Sequence, residues 1–153
     1  MKQLILLLIL LTSFSLNMEA QMIDTKAISL EDAKRVLEAA KIRANQDNWT
    51  VVIAVVDAGG HLIALERIDN TQVGSIEVAI KKAKTAVYFK RSTKVFQDGI
   101  AAGNTHMLGL PEMVPFEGGL PIFYNGKVIG AIGVSGVTSA QDGVIAQAGL
   151  DAL

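Results

Sequence analysis

The sequence contains no cysteine and only two histidines among its 153 residues. Without cysteine the chain cannot form disulfides, zinc knuckles or a thiol nucleophile, so those folds and chemistries are excluded. Only 5% of the residues are aromatic although 50% are hydrophobic. The core must therefore consist mainly of valine, isoleucine, leucine and alanine. The chain is long enough for one domain with a sizeable core.

Neither sign of charge is in excess, because 14 lysines and arginines face 15 aspartates and glutamates, for a net charge of −1. A chain so balanced has no basic surface of the kind that binds nucleic acid, and we expect no nucleic-acid partner. Zincin, P-loop, dinucleotide-binding, nucleophile-elbow and EF-hand motifs are all missing. The remaining candidates for chemistry are few.

Residues 1–20 differ in kind from the rest of the chain. Lys2 precedes an apolar run at residues 4–11, and the segment ends on the small residue Ala20. This pattern predicts a secretory signal peptide, whose cleavage position it leaves open. An uncleaved membrane anchor is the alternative, although a span needs about 20 apolar residues. We therefore expect a single domain at residues 21–153 that is exported, periplasmic or extracellular.

Apolar residues recur in patterns that predict helices and strands. Leu30, Ala33 and Leu37 begin a helical stripe, whereas residues 50–56 form an apolar run typical of a buried strand. We predict helices at 30–46, 76–87, 94–102 and 139–150, and strands at 50–56, 61–67, 120–124 and 127–135. The order α-β-β-α-(α)-β-β-α, with two hairpins, predicts an α+β fold in which helices flank an antiparallel sheet.

The charged residues of the second helix fall on faces other than its apolar stripe; they are Glu77, Lys81, Lys82 and Lys84. Two other helices have candidate caps at their start. Ser29 is followed three residues later by Asp32, and Ser139, which starts the last helix, is followed three residues later by Asp142.

The glycine-rich hairpin at residues 118–136 organises the second half of the chain. Asn125 and Gly126 separate its two apolar strands, which is the strongest short-range signal for a two-residue turn. Gly130 and Gly133 lie inside the second strand, where a glycine indicates the close approach of another backbone or of a ligand. The sequence alone leaves both interpretations open: tight packing on a helix, or a pocket wall for a flat ligand.

The other hairpin contains Asp57, which we expect to hydrogen-bond the backbone of its own turn. His61 opens the returning strand, and we expect its side chain to be exposed to solvent.

The aperiodic stretch at residues 104–119 holds the main candidates for ligand binding. Its scattered apolar residues predict a lid over a pocket or a subunit contact. His106 and Met107 carry an imidazole and a thioether, both competent axial ligands of haem iron, and apolar residues lie nearby. The alternative is that His106 is an ordinary surface histidine. Lys84, Arg91 and Lys94 are candidates for pairing with the propionates of such a ligand, the alternative being an ordinary solvated face.

The sequence resembles the GlcG/HbpS family, also known as the haem-binding or haem-degrading domain family, and the C-terminal domain of PduO-type proteins. The similar blocks are residues 55–69 (VVDAGGHLIALERID), 75–93, 118–136 (GGLPIFYNGKVIGAIGVSG) and 141–149. The resemblance implies a profilin-like fold, haem as a cofactor and assembly into a homo-oligomer. Relatives usually have an acidic residue where this chain has Gly143.

With haem as the suspected cofactor, His106 is the candidate iron ligand, and Thr93 offers a hydroxyl as an alternative. The full set of candidate haem contacts is Lys84, Phe89, Arg91, Thr93, His106, Met107, Gly118 and Gly119.

We expect an exported haem-binding protein that transports, buffers or senses haem, with a sensor or membrane protein as a candidate partner. A second hypothesis is an enzyme that degrades haem or acts on another small molecule. The absence of a recognisable nucleophile–base pair argues against it. A third is a partner-binding module without a small ligand, because profilin-like domains serve many roles.

Overall fold

The computed structural model describes residues 20–23 and 25–153. The helices of this part are α1 (Leu30–Gln46), α2 (Ser75–Phe89), α3 (Lys94–Ala101) and α4 (Ser139–Leu150); the strands are β1 (Val52–Asp57), β2 (Leu62–Arg67), β3 (Gly119–Tyr124) and β4 (Lys127–Ser135). This order and the α+β class match the prediction. Residues 1–19 lie outside the described part, so the signal peptide remains a prediction. Within that part, no helix combines the length and apolar character that crossing a membrane requires.

The four strands form one antiparallel sheet in the order β2-β1-β4-β3. The apolar run of β1 places it beside β4 at the centre, where Val55 lies opposite Ile132. Both predicted hairpins are present. Asn125 and Gly126 have φ values of 48° and 74°, as a two-residue turn between twisted strands requires.

Helices cover both faces of the sheet. On one face α1 and α4 pack over the larger apolar cluster, which includes Val36, Ile53, Ile132 and Ile145. On the other face α2 lies close to β1 and β4, because Ala79, Ala83 and Ala86 are among the residues that it buries against the sheet. A Cβ at Gly133 would overlap the carbonyl oxygen of Ala79 on α2. The interpretation of tight packing on a helix is therefore confirmed for Gly133, whereas a Cβ at Gly130 would lie 2.6 Å from the Val56 carbonyl oxygen of β1 and 2.8 Å from Ile28.

Local capping explains where two helices begin. The Ser29 side chain accepts a hydrogen bond from the Asp32 backbone N–H at 3.0 Å, as predicted. The cap of α4 is one residue earlier than expected, because Thr138 forms a capping box with Gln141 and Ser139 is the first helical residue.

The stretch at 104–119 is more regular than its sequence indicates. A 3₁₀ helix spans Thr105–Gly109 and packs beside α3. One and a half turns of such a helix are too short to produce a visible apolar period. The predicted aperiodic loop is thus corrected to a 3₁₀ helix followed by an irregular segment that returns to β3.

Candidate functional site

A cavity of about 310 Å³ lies between the end of α2, helix α3 and the 3₁₀ helix, outside the three-layer core. Its lining residues are Phe89, Arg91, Phe96, His106, Met107 and Leu110. Aromatic and aliphatic atoms make up most of this lining. The polar groups are one imidazole, one thioether sulfur and one guanidinium, a combination typical of a small-ligand site.

Two phenylalanines form the inner wall of this cavity. The rings of Phe89 and Phe96 meet edge to face, with 5.2 Å between centroids and an interplanar angle of 66°. Phe96 is buried and anchors α3 to α2. Lys90 ends α2 in a left-handed conformation. Arg91 follows it, with its Nε donating to the Phe89 carbonyl oxygen at 3.1 Å.

The outer wall is the 3₁₀ helix, which lies on α3. The backbone N–H of Asn104 donates to the Gly99 carbonyl oxygen at 3.0 Å. A Cβ at Gly99 would lie 2.8 Å from the Met107 sulfur, so the missing side chain makes room for the thioether. His106 is exposed at the cavity mouth. The positions of His106 and Met107 therefore follow the position of α3.

The structure brings together half of the predicted haem contacts: Phe89, Arg91, His106 and Met107. Lys84 lies on α2, half-buried, and is not part of the lining. Thr93 is fully buried, and its hydroxyl accepts a hydrogen bond from the Gly119 backbone N–H at 2.9 Å. Gly118 and Gly119 are also buried and are not part of the cavity lining.

Sequence reasoning did not single out Phe96 or Leu110 as site residues. Phe96 belongs to α3, while Phe89 belongs to α2, so no single periodic pattern connects the two rings. Leu110 follows the 3₁₀ helix and has no local signal beyond its apolar side chain. Only the tertiary packing of three separate elements shows that they share a cavity.

Sequence reasoning also missed a buried ion pair between Lys82 and Asp142. Their Nζ and Oδ2 atoms are 2.7 Å apart, and the side chains are 2% and 3% exposed. Lys82 also donates to the Val134 carbonyl oxygen at 3.0 Å, and Asp142 accepts from the Val137 N–H at 3.3 Å. Burial lowers the pKa of Lys82 and raises that of Asp142, because removing water penalises both charges more than their attraction favours them.

Gly118 and Gly119, at the start of β3, lie close to the buried ion pair. Gly118 has a φ of 123°, and a Cβ there would lie 2.9 Å from Lys82 Nζ. A Cβ at Gly119 would overlap the Lys82 carbonyl oxygen. The two glycines therefore lie at a point of close packing, where the absence of a side chain lets α2 approach the start of β3.

Asp57 and His61 behave as predicted. The Asp57 Oδ1 atom accepts hydrogen bonds from the backbone N–H groups of Gly59, at 2.8 Å, and His61, at 2.9 Å. The hydrogen bond from the His61 backbone is the main reason that the pKa of Asp57 lies below its usual value. The His61 side chain is 83% exposed. In the described part of the chain, no group of three or more acidic or histidine side chains is arranged to hold a metal ion.

Comparison with known proteins identifies relatives along most of the chain. The family described as "Haem degrading protein HbpS-like" matches residues 28–151. Protein GlcG of Escherichia coli strain K12 is 39% identical over 112 residues, which are 72% of this chain and 84% of GlcG.

Solved structures show the same fold. The crystal structure of a PduOC:haem complex has a TM-score of 0.75 and 34% identity, covering 83% of this chain and 95% of PduOC. A double mutant of HbpS from Streptomyces reticuli has a TM-score of 0.80 and 28% identity, covering 91% of this chain and 97% of HbpS. The extent of the family match and the shared architecture confirm the resemblance seen in the sequence. The chain belongs to the HbpS-like family.

Proposed function

We propose that this protein binds haem in the cavity between α2, α3 and the 3₁₀ helix. Two findings about related proteins support this proposal: the family is described as haem-degrading, and PduOC forms a complex with haem. The observation that carries it is the cavity itself, where iron-ligating donors, aromatic walls and a cation meet.

The residues present fit a haem. His106 is the proposed iron ligand, and Met107 is the other donor beside it. The rings of Phe89 and Phe96 offer apolar surface to the macrocycle, and the Arg91 guanidinium can bind a propionate through charge-assisted hydrogen bonds. A porphyrin is larger than a cavity of about 310 Å³, so one edge of the ring would stay outside.

We further propose that the protein is exported and acts in haem transport, buffering or sensing. The basic, apolar and small-residue pattern of residues 1–20 supports export to the periplasm or the cell exterior. Exposed apolar side chains near the cavity support a homo-oligomer; they include Val95, Leu108 and Phe116. A sensor or membrane protein is the proposed partner of the haem-loaded form.

A haemin titration followed by absorbance tests the proposal. His106→Ala removes the proposed ligand, and His61→Ala is the matched control because it removes an exposed histidine that is not part of the cavity lining. We expect a saturable, stoichiometric Soret shift in the wild type and in His61→Ala, and at least a tenfold weaker affinity in His106→Ala, since a lost iron ligand costs more than about 1.4 kcal/mol.

No saturable shift in the wild type would contradict haem binding and favour the partner-binding module. An unchanged shift in His106→Ala would retain haem but contradict the assignment of the ligand. The same titration in Met107→Leu then shows whether the neighbouring thioether holds the iron.

Haem degradation is the second candidate, because the family is described by that activity. A bound haem supplies most of the chemistry, and the protein needs only to bind and orient it. The haem-loaded protein is incubated with ascorbate and oxygen to test this function. Loss of the Soret band with release of iron in the wild type, but not with free haemin at the same concentration, would support an enzyme.

A further inference from the structure

We propose that Glu117 is a positioning residue for the cavity: it lies in the irregular segment between the 3₁₀ helix and β3, contacts both α3 and α4, and so holds the 3₁₀ helix in place. This inference rests on the proposed haem site, because it concerns the wall that carries His106. The space that Glu117 occupies exists because residue 143 on α4 is a glycine.

The outer wall of the cavity needs such an anchor. Helix α3 has eight residues and a single buried side chain, that of Phe96. Its start is fixed to the body by Thr93, whose backbone N–H donates to the Gly119 carbonyl oxygen at 3.0 Å. The 3₁₀ helix packs against α3, so a change in the tilt of α3 would also move the 3₁₀ helix. The outward side of α3 is therefore where a further attachment matters most.

Glu117 provides two attachments to α3. Its backbone N–H donates to the Gln97 Oε1 atom at 2.9 Å. Its carboxylate lies 3.5 Å from Lys94 Nζ, which also contacts the Asp98 carboxylate at 3.0 Å. In the described part of the chain, this is the ion pair that joins α3 to another element. The Glu117 side chain is 20% exposed and that of Lys94 is 49% exposed, so water screens this ion pair and its contribution to stability is small.

The other side of Glu117 rests on α4. A Cβ at Gly143 would lie 2.5 Å from Glu117 Oε1 and 2.8 Å from Glu117 Cγ. No alanine could take this place while the glutamate keeps its position. Gly143 lies in the interior of α4, where a glycine costs about 1 kcal/mol relative to alanine. The contact with Glu117 explains why α4 has a glycine at residue 143 despite this cost.

Together these contacts make a three-way junction of the loop, α3 and α4. Without the Glu117 side chain, α3 keeps its start at Thr93, its Phe96 contact and the hydrogen bond from the backbone N–H of residue 117 to Gln97, but loses its charged attachment. The expected result is a wall that moves more, not a chain that unfolds. Haem uptake should then weaken because His106 spends less time at the cavity mouth in one orientation.

Three variants and a control test this role. Glu117→Ala removes the carboxylate and its contacts with α3 and α4. Glu117→Gln keeps the shape of the side chain without its charge, and Gly143→Ala adds a methyl group where the Glu117 side chain packs on α4. Asp98→Asn is the matched control: it removes one negative charge and the other acidic partner of Lys94, on the outer surface of α3. The first measurement is hydrogen exchange of the protein without haem, over residues 94–110 and, for comparison, over α1.

We expect faster exchange over 94–110 in Glu117→Ala and Gly143→Ala, with α1 unchanged, and wild-type exchange in Asp98→Asn. Glu117→Gln should lie between wild type and Glu117→Ala. In the haemin titration, the first two variants should bind about threefold more weakly, as expected for a partly exposed ion pair and its packing. In the Glu117→Ala background, Gly143→Ala should cause little further change in exchange or affinity, because the side chain that it displaces is already absent.

Wild-type exchange and affinity in Glu117→Ala would overturn the inference. So would faster exchange throughout the fold in both Glu117 variants, because that outcome makes Glu117 a general stabilising residue. If the wild type takes up no haem, the proposed function fails, while the exchange data on the haem-free protein still decide whether Glu117 holds the wall.

Discussion

Residue by residue, the largest departure from the sequence-based expectation is Lys82. Its position away from the apolar stripe of α2 suggested an ordinary charged face, yet it is buried against Asp142. The two residues are 60 positions apart, and no local pattern connects them. A buried lysine of this kind can only be found once the folding of β3, β4 and α4 around it is known.

The buried pair leads to a prediction about stability. Lys82→Met leaves the Asp142 carboxylate buried without its partner, which we expect to lower the free energy of unfolding by about 3–5 kcal/mol. The control is Lys81→Met, which removes an exposed lysine on the same helix and should change it by less than about 0.5 kcal/mol. Urea unfolding followed by circular dichroism measures both.

The double variant Lys82→Met/Asp142→Leu should recover much of the loss, because it removes the unpaired charge as well. If Lys82→Met is no less stable than the Lys81→Met control, the pair does not contribute as its burial indicates.

Asp57 gives a prediction about pH. Because hydrogen bonds in the turn lower the pKa of Asp57 in the folded state, its contribution is complete above the unfolded pKa and is lost as pH falls through the folded one. Wild type should therefore exceed Asp57→Asn in stability at neutral pH, and this difference should shrink below about pH 4. Denaturant titrations at several pH values measure it. A difference that is constant with pH would contradict the assignment.

Among the elements, the two hairpins and helix α3 could be predicted from local patterns, whereas the way in which α3 and the 3₁₀ helix enclose the cavity could not. Asn125-Gly126 and the apolar run of β1 are local signals, and local chemistry decides those structures. The short α3 and the 3₁₀ helix owe their place to contacts such as Phe89–Phe96 and Met107 on Gly99. His106 and Met107 were predicted as a pair by their chemistry, whereas the ring of Phe96 was not.

The close contact between β4 and α2 leads to a prediction about the stability of a Gly133 variant. Gly133→Ala would place a Cβ against backbone atoms of Ala79 and Ala83, which cannot rotate away. We expect a loss of about 1–3 kcal/mol in the free energy of unfolding, the usual cost of overpacking. Gly74→Ala is the control, because a Cβ there meets nothing within 4 Å. Equal stability of the two variants would contradict the close packing of α2 on the sheet.

On the scale of the whole molecule, the sheet and its helices support the cavity without lining most of it. The antiparallel α+β architecture followed from element order, and the family match confirms it. The position of the cavity, on the outer side of the α2 layer, did not follow from that order. The position of the cavity depends on how α3 and the 3₁₀ helix pack against the end of α2.

Export is a prediction about the whole chain. When the gene is expressed with its native start, we expect the protein in the periplasmic or extracellular fraction, shortened at its N-terminus within residues 15–21. N-terminal sequencing or intact mass measures this. A full-length chain in the membrane fraction would instead support the uncleaved anchor.

Hydrogen exchange of the protein with and without one equivalent of haemin locates the ligand without relying on a variant. If haem binds in the cavity, exchange slows at the end of α2, in α3 and in the 3₁₀ helix, over residues 89–110, and is unchanged in α1 and β2. Slowing confined to another region, such as the β3–β4 turn near Asn125, would contradict the proposed site even if the protein binds haem.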